Sequence, residues 1–285
     1  MSALVAVEPA ALASPAIVRP LSIERNSTRS FLADVVIEHG PAAILGRLFL
    51  KADTALRAKG IRLTFATFEE LSALNQANPQ SWRPLLPVFD PARSGVSDAD
   101  GFVVIGRDAS GKAATAHAFR LLDLQSNSLK DEIESLRVFY TDPERLRGPF
   151  EELRVTAPSA ASTFGPVVFS GAVWFRPDLR GSGLLTHIQP TVRALSFTRW
   201  RPDRVVSFMA PDVVRGGIAA SGRFPHVEWE VTMMHTPVYR DGTIHAALVS
   251  TTAAEQLAHF AEYVAQDTKS RDLPQIAAAE PVARL

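Results

Sequence analysis

The chain has 285 residues, 46% of them hydrophobic, enough for a sizeable core in one large domain or two small ones. Thirty basic side chains balance thirty acidic ones, so no net field draws it to nucleic acid or an anionic membrane. With no cysteine, disulfides, thiolate catalysis and cysteine-ligated metal are excluded, and the seven histidines form no HExxH or H-x-H pair, so no metal site is expected.

Residues 1–30 are apolar but lack a basic leading segment and are interrupted by Glu8 and by prolines at 9, 15 and 20. They read as a mobile arm, not a signal peptide. No run reaches the roughly 18 uninterrupted apolar residues of a membrane span, so a cytoplasmic protein with no membrane partner is expected.

Order is expected from about Phe31. Ile44, Leu45, Leu48, Phe49 and Leu56 recur at helical spacing between Pro41 and Gly60. Ile61, Leu63 and Phe65 alternate as in a half-buried strand, and a short helix through "FEELSALNQAN" ends before Pro79. Residues 79–100, with several prolines, read as a long loop, and two apolar strands flank the hairpin turn "RDASGK". Residues 125–163 are polar and ambiguous, with a strand suggested at "SLRVFYT".

"PVVFSGAVWF" reads as a buried strand, "LLTHIQPTVRALSFTRW" as a helix, and "DRVVSFMAP" as another strand. Pro190 either kinks that helix or marks its true start. "DVVRGGIAASGRF" is a short helix weakened by glycine, "HVEWEVTMMH" and "GTIHAALVST" are strands, and "AAEQLAHFAEYVAQ" is a last helix. The tail 268–285, rich in alanine and proline, reads as disordered. This order of elements predicts one mixed α/β sheet with helices on both faces.

The most informative stretch is "WFRPDLRGSGLL". Gly181 and Gly183 can adopt backbone angles closed to other residues and admit a ligand to the main chain. Successive amides in such a turn form a concave anion site, to which the start of the next helix adds its unpaired amides and positive dipole end. With the charge of Arg180, the turn suits a diphosphate. It lacks the Gly-Lys-Ser/Thr ending of the ATP-binding P-loop, and its glycines do not fit G-x-G-x-x-G.

On these residues the sequence resembles the GNAT acyltransferase superfamily, whose signature is commonly written R-G-x-G-I-G. Arg180, Gly181, Ser182, Gly183 and Leu184 match, "RPDL" is similar to the family's lead-in, and "SGRF" sits where the family often has Gly-Phe. The resemblance implies a largely antiparallel twisted sheet in a single domain over 31–267, with insertions at about 79–100 and 125–165, of which 79–100 and 141–165 would shape the acceptor pocket. It implies acetyl-CoA or another acyl-CoA as cosubstrate, with its pyrophosphate on the turn and its pantetheine arm along Val173, Trp174 and Phe175. Two strands should splay beside residues 173 and 208. The acceptor would be a small-molecule or peptide amine, and a homodimer is compatible with the reading.

Position 185 is Leu where the family prefers Gly or Ala, and the family's usual Tyr acid is replaced by Ile218 or Ala219. Glu228, Glu230 and His235 have the chemistry of a general base, and Tyr140 and Ser221 that of a proton donor. Glu228 and Glu230, two residues apart, would share one strand face, which is equally the pattern of a solvated face. Arg199, Arg201 or Arg204 could meet the ribose phosphate or simply favour a helix end. Three other readings stay open: a CoA-binding or regulatory module without turnover, an acyl-homoserine lactone synthase-like enzyme, and an unrelated α/β protein.

Overall fold

A computed structural model of the chain describes residues 31–237 and 242–266. The arm at 1–30 and the tail at 268–285 lie outside the described residues. Helix α1 (Ala42–Ala58) follows Pro41, and its threefold and fourfold spacing buries Leu45, Leu48, Phe49, Ala52 and Leu56. Strand β1 (Arg62–Ala66) leads into α2 (Phe68–Gln76), where the Thr67 hydroxyl accepts from the Glu70 amide as an N-cap. A one-turn helix, α3 (Pro91–Ser94), interrupts the next loop.

Strands β2 (Gly101–Arg107) and β3 (Ala113–Leu124) form the expected hairpin. Its turn is held by Asp108, whose carboxylate accepts from the amides of Ser110 and Lys112. Helices α4 (Leu129–Glu134), α5 (Pro143–Leu146) and α6 (Pro158–Ala161) surround the short β4 (Glu152–Val155). Strand β5 (Gly165–Phe175), α7 (Leu185–Trp200) and β6 (Arg204–Met209) make a strand-helix-strand unit. Then come α8 (Pro211–Arg215) and α9 (Ile218–Ser221), separated at Gly217, whose φ of +77° stops one helix and starts the next. Strands β7 (His226–Met234) and β8 (Thr243–Thr252) precede α10 (Ala253–Ala265), which starts with a capping box between Thr252 and Glu255.

The eight strands form one sheet in the order β1-β2-β3-β5-β6-β8-β7-β4. Every pairing is antiparallel except β5 with β6, which are parallel because α7 carries the chain back across the sheet. One face packs on α1, α7 and α10 through residues such as Phe49, Val192 and Phe260. The other is covered by α2 and by the two polar-looking insertions, which contribute Trp82, Val88, Phe89, Leu129, Ile133 and Phe139 to a second core.

Three expectations change here: "DVVRGGIAASGRF", read as one short helix, forms two, because Gly217 at φ +77° ends the first. "SLRVFYT" is no strand: the amides of Phe139 and Tyr140 both donate to the Leu136 carbonyl, and Leu136 turns at φ +66°. Its apolar residues are buried in succession because the turn sinks into the core. The strand of this region is β4, which pairs with the end of β7. Helix α7 begins at Leu185 and runs through Pro190, so the alternative start at Pro190 is not taken.

Candidate active site

Strands β5 and β6 are paired only from Val167–Phe169 to Arg204–Val206. Beyond Phe169 they diverge, bridged once more where the Ser170 hydroxyl donates to the Val206 carbonyl at 3.2 Å. Strand β6 ends at Met209 opposite Ala247, so residues 243–246 of β8 have no β6 partner. The resulting gap in the sheet is a cleft of about 1230 Å³, walled by the diverging strand ends, the 79–86 loop, and the turn before α7.

On the β5 side the strand is bulged. Ala116 pairs with Trp174 and Ala118 with Gly171, so Ala172 and Val173 together oppose His117. Ala172 takes a left-handed φ of +51°. A bulge of this kind takes backbone groups out of the ladder and re-aims them, and here it does so at the cleft wall, with Val173 45% exposed. Trp174 is buried and Phe175 half-buried.

At the cleft mouth, Gly181 and Gly183 take φ of +74° and +76°. A Cβ on Gly181 would meet nothing within 4 Å, and one on Gly183 only Lys59 Nζ at 4.0 Å. Leu184 caps α7 without a side-chain acceptor, so the first amides of the helix keep no intrahelical partner. Within the turn the Ser182 amide donates to the Leu179 carbonyl at 3.3 Å, and the amides of Gly181, Gly183 and Leu184 have no partner among the described residues. Lys59, at the end of α1, donates to the Ser182 carbonyl at 3.0 Å and adds a cation beside it. Arg180 spans the mouth, its Nε donating to Phe175 O at 3.2 Å and its Nη2 to Ser81 O at 2.7 Å. Trp82 stacks on Trp174 at 5.3 Å and 14°, and the Trp174 indole donates to the Ser81 hydroxyl at 3.1 Å. These contacts fix the 79–86 loop as a wall.

Two histidines line the cleft. His117 is fully buried, edge-on to Phe175 at 5.6 Å, and neither ring nitrogen has a protein partner among the described residues. Burial lowers its pKa to about 3, so the ring is neutral at physiological pH. His245 sits on the stretch of β8 that β6 leaves unpaired, and its Nδ1 is hydrogen-bonded to the Glu230 carboxylate.

Of the sequence candidates, Arg180, Gly181, Ser182, Gly183, Leu184, Val173, Trp174, Phe175 and Ser221 line the cleft, and Glu228, Glu230 and His235 do not. A bulge between Trp229 and Val231 breaks the alternation that put Glu228 and Glu230 on one face. Glu228 accepts from the amide and hydroxyl of Ser159, while Glu230 reaches the site only through His245. His235 ends β7 at φ +53° beside Phe150.

Tyr140 is outside the cleft, donating to the buried carboxylate of Glu151 at 2.8 Å. Arg199 donates to the carbonyls of Gly101 and Asp98, and Arg204 to the Ser250 hydroxyl; with Arg201, they stand clear of the cleft. The 79–100 insertion supplies wall residues, but 125–165 supplies none, because it packs on the second core instead. His117, Lys59 and His245 escaped the sequence reading: each belongs to the site only through pairing or packing with a distant segment.

No family model and no curated protein matches this chain. Among solved structures, a spermidine N-acetyltransferase SpeG from Vibrio cholerae is similar at 8% identity and TM-score 0.41, over 70% of this chain and 97% of the other. AAC(6')-Ib in complex with ribostamycin and coenzyme A is similar at 14% identity and TM-score 0.38, over 69% of this chain and 95% of the other.

Proposed function

We propose that the protein is an acyl-CoA-dependent N-acyltransferase that transfers an acetyl or longer acyl group to an amine. The observation that carries this reading is the gap between two parallel strands with a bulge on one side and, at its mouth, an amide-lined glycine turn leading into α7. The amides of Gly181, Gly183 and Leu184, which have no partner among the described residues, fit a diphosphate, with Lys59 held beside them on the Ser182 carbonyl. The exposed backbone at Ala172–Val173 fits the extended, amide-bearing arm of coenzyme A, which can pair with a free strand edge.

The thioester supplies an activated acyl group: the amine nitrogen bonds to the acyl carbon, the carbon–sulfur bond breaks, and the departing sulfur takes a proton while the nitrogen gives one up. The chain's part is to hold both reactants and handle those protons. The His245–Glu230 pair is the candidate base, since the carboxylate on Nδ1 orients the ring and leaves Nε2 to accept a proton. Ser221, on the cleft wall where α9 ends, is the candidate donor to the sulfur. Arg180 and the Trp82–Trp174 stack keep the cleft wall in place around the reactants.

A second reading, a CoA-binding module without turnover, is favoured by the cleft's own acid content: Asp212 is the one carboxylate among the described lining residues, and it is paired with Arg83 at 2.8 Å. Calorimetric titration with coenzyme A and acetyl-CoA, on the protein and on its Gly183→Trp variant, tests the common ground of both. Saturable binding that the variant loses is expected. Absence of binding to either compound removes both readings, and acyl transfer to any amine removes the second.

A further inference from the structure

On the face of the sheet away from α7, the cleft is walled by Trp82, Phe89, Trp174, Phe208, Met233 and Ile244. These side chains belong to the second core or pack against it, yet here they border open space. The one lining carboxylate among the described residues, Asp212, is exposed and already paired with Arg83, and both lie at the rim. An acceptor carrying several ammonium groups would lose its hydration in this chamber, where the one nearby carboxylate among the described residues besides the paired Asp212 is Glu230, engaged with His245, so several charges would stay uncompensated, which is strongly unfavourable. An uncharged chain of methylenes or an aryl group would gain by the same burial.

We infer, resting on the acyltransferase reading above, that this chamber receives an uncharged apolar chain, supplied by an acyl group longer than acetyl or by the carbon skeleton of the amine, and that it disfavours polycationic acceptors. The continuity of the chamber with the bulge at Ala172 and with His245 puts such a chain next to the proposed reaction centre.

The test is calorimetric titration of the full chain with coenzyme A and its acetyl, octanoyl and dodecanoyl thioesters. Ethylamine, octylamine and spermidine are then titrated into the protein saturated with coenzyme A. Each buried methylene is worth roughly fourfold in affinity, so at least a tenfold gain is expected along one of the two series. A gain from acetyl to octanoyl assigns the chain to the thioester, and a gain from ethylamine to octylamine assigns it to the acceptor. Flat behaviour in both series, or spermidine binding more tightly than octylamine, overturns the inference while coenzyme A binding leaves the parent reading standing. Failure of coenzyme A itself to bind overturns both. Ile244→Trp, which narrows the chamber, should reduce the chain-length gain, and its affinity for coenzyme A reports whether fold and turn survive.

Discussion

The buried histidine of the cleft makes stability depend on pH in a way that can be isolated. His117 lies on β3 behind the bulge, with both ring nitrogens unpartnered among the described residues, and burial takes its pKa from 6.5 to about 3. Below pH 6.5 the unfolded chain gains a proton at this ring that the folded chain does not. Folding is therefore unaffected by the group above about pH 6.5 and weakened progressively as pH falls toward the folded value. The difference amounts to about 2 kcal/mol at pH 5 and about 3 kcal/mol at pH 4. Urea denaturation of the protein and of His117→Leu at pH 7.5 and pH 5 measures it. All other groups titrate in both proteins, so the native chain should lose about 2 kcal/mol more than the variant between those pH values. Equal losses would refute the reasoning and would mean that solvent or a side chain reaches the ring in the folded state.

Gly181→Ala tests the turn without a clash, because a Cβ there meets open space while its φ of +74° disfavours any L side chain by about 1–2 kcal/mol. Where the free variant turn relaxes to a negative φ, this cost returns on binding and coenzyme A affinity by calorimetry should fall up to roughly five- to thirtyfold; unchanged affinity together with an unfolding loss of about 1–2 kcal/mol would show the turn to be held in place without ligand. Trp82→Ala deletes the stack on Trp174 and should destabilise the fold by about 3 kcal/mol in urea denaturation; a loss below about 1 kcal/mol would show the 79–86 loop to be loosely held. His245→Ala should lower kcat at least about a hundredfold with any amine that is accepted, and full turnover in the variant would rule the pair with Glu230 out as the base.

Much of the architecture was legible because it is local. The spacing of Leu45, Leu48, Phe49 and Leu56 gave α1 and the apolar runs around "RDASGK" gave the hairpin, whereas "DVVRGGIAASGRF", read as one helix weakened by glycine, is split at Gly217 into α8 and α9. The turn before α7 was legible for the same reason, since Gly181 and Gly183 advertise a backbone conformation that needs no partner to be inferred. The covering of the second core was not. Proline and polar residues in 79–100 and 125–163 hide the few large side chains, Trp82, Phe89 and Phe139, by which these segments anchor. A composition reading averages over such isolated anchors and returns a loop.

Glu228 and His235 stand away from the cleft and Glu230 meets it through His245 for a different reason, which bears on how such sites can be read at all. Period-two alternation places residues correctly only while the ladder is regular, and both strands that matter here are bulged: β5 at Ala172–Val173 and β7 between Trp229 and Val231. The first bulge turns backbone toward the cleft and sets His117 behind it; the second separates Glu228, which serves Ser159, from Glu230, which serves His245. Gly171, an isolated glycine inside a strand next to the first bulge, is the kind of mark a bulge can leave in its own segment, whereas "HVEWEVTMM" carries none for the second. The proposed chemistry rests on those two irregularities, and the same irregularities account for why Glu230 was noticed without the histidine it supports.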